Sequence, residues 1–197
     1  YIADKPYGIN THPDRANRED TLGNRLSTTF GKDFALRIVT RLDKTTSGLV
    51  LGAFDAVTAE RLNDMQLRHS IVKQYVAVVC GNVQPDQGRI DLPLLRVDEQ
   101  NKTICDPSGK PSATEYTTLN YSPETDTTVV RLTPETGRTH QLRAHMAAIG
   151  CPILGDVLYG GRSADRIYLH CARLTFAHPF TDKMVDVKSV PDEALFD

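Results

Sequence analysis

The chain has 197 residues, 40% of them hydrophobic and 24% charged, with a formal net charge of −2. That composition fits one soluble globular domain, in one piece or in two lobes, long enough to bury a core without disulfide or metal staples. No run of about 18 apolar residues and no basic-then-apolar leader occurs, so no membrane-spanning helix, no secretory signal and no membrane partner is expected.

The opening "YIADKPYGIN" reads as a short strand followed by a turn at Pro6–Gly8. It begins inside a strand, so the natural N-terminus is expected upstream. "DTLGNRLSTTF" predicts a helix carrying Leu22, Leu26 and Phe30, stopped by Gly31. "SGLVLGAF" has the length and apolarity of a buried strand, and Asp55 is placed to N-cap a helix over about 56–67, with Ala59, Leu62 and Met65 on one side. "VKQYVAVVCG" is a β-branched run ending at Gly81, hence a strand. No element is assigned to 82–108. "GKPSATEYTTL" and "TTVVRLTP" predict two more strands joined by a hairpin loop "NYSPETD". "HQLRAHMAAIG" sets Leu142, Met146 and Ile149 at helical spacing, with Gly150 as the stop. "IYLHCARLTF" and "KMVDVKSV" read as strands joined around "HPFTDK". There is no internal repeat. Many strands and few helices predict an α+β fold on a mainly antiparallel sheet.

Cys80, Cys105, Cys151 and Cys171 form no C-x-x-C pair and stand in apolar or turn contexts, as reduced thiols of a cytoplasmic protein would. Charge is uneven along the chain. Residues 36–75 and 135–178 each hold two more basic than acidic side chains, whereas 76–134 and 179–197 each hold three more acidic ones. If the two basic stretches meet, they make a basic cleft on an acidic body.

Three segments carry chemistry. "TRLDKTTSG" frames one carboxylate, Asp43, with Arg41 and Lys44 and runs straight into the buried strand. A solvated loop has this composition, and so does a site that keeps one acid ionised beside an anionic substrate. In "KQYVAVVCG" the strand period puts Lys73, Tyr75 and Ala77 on one face, so Tyr75 is either a core aromatic or a ring lining a pocket. "PETGRTHQLRAH" crowds Arg138, His140, Gln141, Arg143 and His145 around a helix start. His140 and His145 are five apart and do not share a helix face, which argues against a metal pair.

Taken together these segments resemble the RluA-type family of RNA pseudouridine synthases. The family's H-R-L-D-x-x-T-S-G is matched by "TRLDKTTSG", its K-x-Y by "KQY", and its T-G-R-[TS]-H-Q-[LI]-R by "TGRTHQLR". "DKPYGINTHP", "CPILGDVLYG" and "LHCARLTFAHP" resemble three further family motifs in the right order, so the likeness runs from Asp4 to Pro191. Thr40 and Cys151 replace two histidines usual in the family.

The resemblance implies the pseudouridine synthase fold, a mixed, mainly antiparallel sheet with flanking helices and a central RNA-binding cleft, over residues 1–197. No S4-type accessory domain is legible. The implied reaction detaches uracil from C1′, turns it and rejoins it through C5, with no redox change and so no cofactor or metal. Asp43 takes the place of the essential aspartate, Arg143 that of the arginine that holds it ionised, and Tyr75 that of the strand tyrosine. RNA contacts are expected from Arg41, Lys44, Thr46, Ser47, Arg138, His140 and Gln141. Asp156, in its Gly-flanked turn, reads as structural or RNA-contacting. The implied partner is ribosomal or transfer RNA, with a monomer and no obligate protein partner. The other reading is an inert RNA-binding or RNA-folding module of the same fold. A hydrolase using Asp43 would want a D-x-D or a metal cluster, and neither is present in the sequence.

Overall fold

The structure, a computed structural model, describes residues 1–13, 19–31 and 35–191. In chain order the elements are β1 (Ile2–Lys5), α1 (Leu22–Phe30), β2 (Arg37–Ile38), β3 (Ser47–Ala53), α2 (Ala56–Leu67), β4 (Val72–Cys80), β5 (Gln87–Asp91), β6 (Leu94–Val97), β7 (Lys102–Cys105), β8 (Ala113–Ser122), β9 (Thr127–Pro134), α3 (Gln141–Ala148), β10 (Leu169–Ala177) and β11 (Met184–Lys188). The expected α+β character with antiparallel pairing is what forms. The described chain divides into two compact units, Tyr1–Val72 with Cys171–Pro191, and Lys73–His170.

In the first unit, β3 is buried at all seven positions. It pairs antiparallel with β1, from Ile2 opposite Leu51 to Lys5 opposite Gly48, and with the short β2. β10 flanks β3 on the other side and β11 pairs with β10. Gly48 makes the close approach possible. Its φ is +108°, and a Cβ there would lie 2.4 Å from the Cys171 carbonyl oxygen, so a larger residue would push β3 off β10. α1 starts as its sequence asks, in a capping box in which Thr21 and Asn24 satisfy each other's backbone N–H. Of its three expected apolar contacts only Leu22 is fully buried; Phe30 sits instead in an exposed aromatic group with Tyr1 and Phe54. The Asp55 carboxylate accepts the Thr58 N–H at 2.8 Å and caps α2, whose Ala59 and Leu62 are buried.

In the second unit, β9 pairs with β4 on one side and β8 on the other, and β5 continues from β8, all antiparallel. β6 and β7 form a separate hairpin. The loop between β8 and β9 is tighter than its sequence suggested. β8 runs on through Asn120, Tyr121 and Ser122, which pair with Val129, Thr128 and Thr127. The reversal fits into 123–126 because Asp126 takes a left-handed conformation (φ 47°) and its carboxylate accepts from the Tyr121 hydroxyl. α3 ends in a Schellman motif: Gly150 N–H bonds the Ala147 carbonyl and Cys151 N–H the Met146 carbonyl. Gln141 to Met146 are all buried, whereas Ile149, expected on the apolar face, is exposed.

His145 stands fully buried on α3. Its Nε2–H donates to the Leu92 carbonyl at 3.0 Å and its Nδ1 accepts from the Thr114 hydroxyl at 2.9 Å. Burial pushes its pKa down, outweighing the carbonyl and the Asp91 charge. The folded state therefore binds fewer protons than the unfolded one below the ordinary histidine value of about 6.5. The stability of the neutral ring is fully present above that pH and is lost as pH falls towards the depressed folded pKa. The melting temperature should decline on acidification from about pH 6.5. His145→Gln keeps a donor and an acceptor but does not titrate; it should lower stability at neutral pH and flatten the acid decline. Parallel wild-type and variant curves would show that His145 does not cause it.

Candidate active site

In the first unit the framed carboxylate lies on a loop fixed from both sides. Before it, the Thr11 hydroxyl donates to the Leu42 carbonyl at 2.7 Å and accepts the Leu42 N–H at 3.1 Å. After it, the Lys44 carbonyl accepts the Gly8 N–H at 2.9 Å and the ammonium of Lys5 at 3.4 Å. Lys5 is 0% exposed, and its Nζ also donates to the Pro6 and Ile9 carbonyls, both at 2.9 Å. A buried ammonium is tolerated only with such partners, and here it ties the Pro6–Ile9 turn to the loop of Asp43. The Thr46 N–H closes that loop on the Asp43 carbonyl at 3.1 Å. Asp43 is half-buried between the exposed Arg41 and Lys44. Arg41 is close enough to His12 to help burial lower that ring's pKa.

Two expectations for this loop meet a different geometry. Thr46 and Ser47, expected to offer hydroxyls to the RNA, are both buried where the loop enters β3. Thr40 is buried too: its Oγ1 accepts the Leu51 N–H at 2.8 Å and its N–H donates to the Leu51 carbonyl. In this chain the position of the family's usual histidine is thus a clamp on β3.

In the second unit Tyr75 is a buried member of β4, opposite Leu132 of β9. Arg143, 5% exposed, turns one edge of its guanidinium onto Asp156, 0% exposed, with Nε–Oδ2 at 2.6 Å and Nη2–Oδ1 at 2.8 Å. This fork-on-fork arrangement is the strong form of the contact. Asp156 is delivered by a turn that only glycine permits: Gly155 has φ +82°, and a Cβ there would fall 1.7 Å from the Arg166 carbonyl oxygen. The Tyr159 ring stacks beneath Arg143, 4.9 Å from guanidinium carbon to ring centroid, with Lys102 at 5.0 Å. The Tyr159 hydroxyl accepts the Thr103 N–H at 2.8 Å and shares a hydrogen bond with Nδ1 of His140 at 3.1 Å. Burial raises the Tyr159 pKa, so the hydroxyl stays protonated and able to donate.

Gln141 is buried with its amide committed inside the protein. Its Oε1 accepts from the Thr136 hydroxyl and the Arg138 N–H, and its Nε2 donates to the Ala113 carbonyl and the Thr114 hydroxyl. Its geometry is that of a strut holding the Thr136–Arg138 loop. Arg138 itself is exposed, and its Nε and Nη2 donate to the Pro111 carbonyl at 3.4 and 3.3 Å. Among the described residues no cluster of three or more His, Cys, Asp or Glu side chains is able to hold a metal, and no helix is long and apolar enough to cross a membrane.

The family described as RNA pseudouridylate synthase matches residues 1–148. A Pasteurella multocida protein called dual-specificity RNA pseudouridine synthase RluA is 37% identical, over 96% of this chain and 88% of that protein. The Escherichia coli K12 protein of the same description is 35% identical over 97% and 89%. The chain belongs to the RluA-type RNA pseudouridine synthases. The solved structure of human RNA pseudouridylate synthase domain containing 1 superposes on this synthase with a TM-score of 0.80 at 27% identity, covering 96% of this chain and 79% of that one. A second human structure, domain containing 4, shares the fold at a TM-score of 0.80 and 22% identity. Within the synthase, Lys5 and Tyr159 were not singled out from the sequence, and Asp156, read there as structural or RNA-contacting, is the fork partner of Arg143. Each lies in a matched motif, but a motif does not say that its lysine is buried or that its aspartate takes an arginine.

Proposed function

We propose that this pseudouridine synthase acts as a monomer, without metal or cofactor, on particular uridines of structured ribosomal or transfer RNA in the cytoplasm. The uridine leaves its stack, the C1′–N1 bond breaks, the uracil turns, and C1′ bonds to C5 while C5 gives up its proton and N1 takes one up. Asp43 is the nucleophile or base, Arg143 keeps it ionised, and Tyr75 stacks on the uracil or assists removal of the C5 proton. Arg41, Lys44, Arg138 and His140 meet the RNA, and Thr46, Ser47 and Gln141 hold those contacts in place.

The observation that carries this reading is the Asp43 loop. A carboxylate between two exposed cations, with hydrogen bonds pinning the backbone on either side, is held for chemistry on an anionic chain and not left to sample a surface. An inert RNA-binding module has no use for it. Release of tritium from RNA carrying uridine labelled at C5 tests the reading, because only isomerisation exchanges that proton. Catalytic amounts of protein that release none from ribosomal or transfer RNA of a strain lacking the enzyme would leave the binding module.

Tyr75→Phe should bind RNA as the wild type does and turn over slowly, because the ring is retained and the hydroxyl lost. Tyr75→Ala should also lose base stacking, worth roughly 1–3 kcal/mol. Single-turnover rates and affinities for both variants check this; a fully active Phe variant beside an inactive Ala variant assigns Tyr75 to stacking alone.

A further inference from the structure

The stretch 76–134 is net acidic, yet two of its cations share a groove in the second unit with Arg138. The groove has a volume of about 440 Å³ and runs between the β6–β7 hairpin, the 108–110 turn and the 137–139 loop. That volume is within the range of ligand clefts. Arg96, Lys110 and Arg138 line it, with the partly exposed Leu95 and the hydroxyl-bearing Ser108 and Thr139, and no carboxylate is among the lining residues. Arg96 is shared with the almost fully exposed Asp98 and with Asn101. Lys110 and Arg138 have no ion pair among the described residues.

Lys110 and Arg138 are held where they are by backbone. Lys110 N–H bonds the Leu94 carbonyl and Leu94 N–H the Lys110 carbonyl, both at 2.9 Å. Gly109 N–H bonds the Asp106 carbonyl, and the Ser108 N–H and hydroxyl cap the Asp106 carboxylate. Gln141 fixes the Arg138 N–H, and the guanidinium of Arg138 turns onto the carbonyl of Pro111, the residue after Lys110. Lys110 and Arg138, drawn together without a carboxylate between them, repel one another, a cost that a bound anion removes.

We propose that this groove holds the sugar–phosphate backbone of the substrate RNA, with Arg96, Lys110 and Arg138 on phosphate and Leu95 against ribose or base. The proposal rests on the RNA synthase reading and extends the RNA surface to the β6–β7 hairpin. The match to substrate is one of charge, pre-organisation and amphipathic lining; it supplies affinity and register, not sequence choice.

The test is a salt titration of oligouridylate binding by fluorescence anisotropy, with tritium release from labelled RNA run beside it. Each phosphate contact removed should lower the log–log salt slope by about 0.7. Lys110→Ala should therefore lower it by about 0.7, and Arg96→Ala with Lys110→Ala by about 1.4. Lys110→Arg should restore the wild-type slope and Lys110→Glu should weaken binding further. In turnover, Lys110→Ala should raise the half-saturating RNA concentration several-fold more than it lowers the plateau. Wild-type slopes in the double variant overturn the proposal, as does displacement of oligouridylate by inorganic phosphate at constant ionic strength, which marks a free-anion site. Failure of the synthase reading is distinguishable, because it appears as wild-type protein that releases no tritium while the slopes still report the groove.

Discussion

Asp43→Asn should bind RNA, melt close to the wild type, and fail to turn over. The loop is supported through backbone: Leu42 on Thr11, Lys44 on Gly8 and Lys5, and Thr46 N–H on the carbonyl of residue 43. An isosteric amide leaves all of these in place. What it removes is the charge that would attack the sugar or base or take a proton. Loss of an essential nucleophile elsewhere costs on the order of 10⁴- to 10⁶-fold in rate, so tritium release should fall below detection in a single-turnover assay. Appreciable release by this variant would remove Asp43 from the chemistry. A variant that fails to melt cooperatively would mean that the carboxylate holds the loop and does not act from it.

The second large effect is expected at Arg143 and Asp156. From the sequence alone Arg143 is expected to hold Asp43 and counts in the basic surface; in the structure its Nε–Nη2 edge forks onto the buried Asp156. The pair contributes no net surface charge. Asp156→Ala takes a buried carboxylate from the guanidinium fork, a change that costs about 3–5 kcal/mol in comparable pairs. Asp156→Asn keeps the shape and loses the charge, so it should cost less. Arg143→Lys replaces a planar fork by a point charge and loses the stack on Tyr159. It should lose both stability and most activity, and Arg143→Ala more of both. Urea unfolding gives the stability and single-turnover tritium release, measured well below each melting point, gives the rate. Wild-type midpoints for Asp156→Ala would show the pair to be energetically idle; wild-type rates for Arg143→Lys would show that the fork has no part in the reaction.

Long apolar runs and clear caps were legible. "SGLVLGAF" became β3, and Asp55 caps its helix where the side-chain chemistry asks for it. The region 82–108 was not. It holds β5, β6 and β7, of four or five residues each, interrupted by Arg89, Arg96 and Lys102. Such strands exist because a partner strand supplies the hydrogen bonds, and no local period announces them. The groove that the β6–β7 hairpin helps to form was hidden for the same reason.

By itself the sequence determined the family, the α+β class, the framed carboxylate at Asp43 and the candidate roles of Tyr75 and Arg143, because ordered motifs and residue chemistry are local in the chain. Only the tertiary structure decided which polar groups are consumed inside the protein. Thr46, Ser47 and Gln141, expected from the sequence to meet RNA, are buried, and Lys5 is a fully buried staple. Whether a charge faces solvent, a carbonyl or a carboxylate depends on segments distant in the chain, such as 13 residues from Arg143 to Asp156 and 39 from Lys5 to Lys44. Burial sets the cost of leaving a polar group unpaired, and burial is a property of the packed chain, not of the residue.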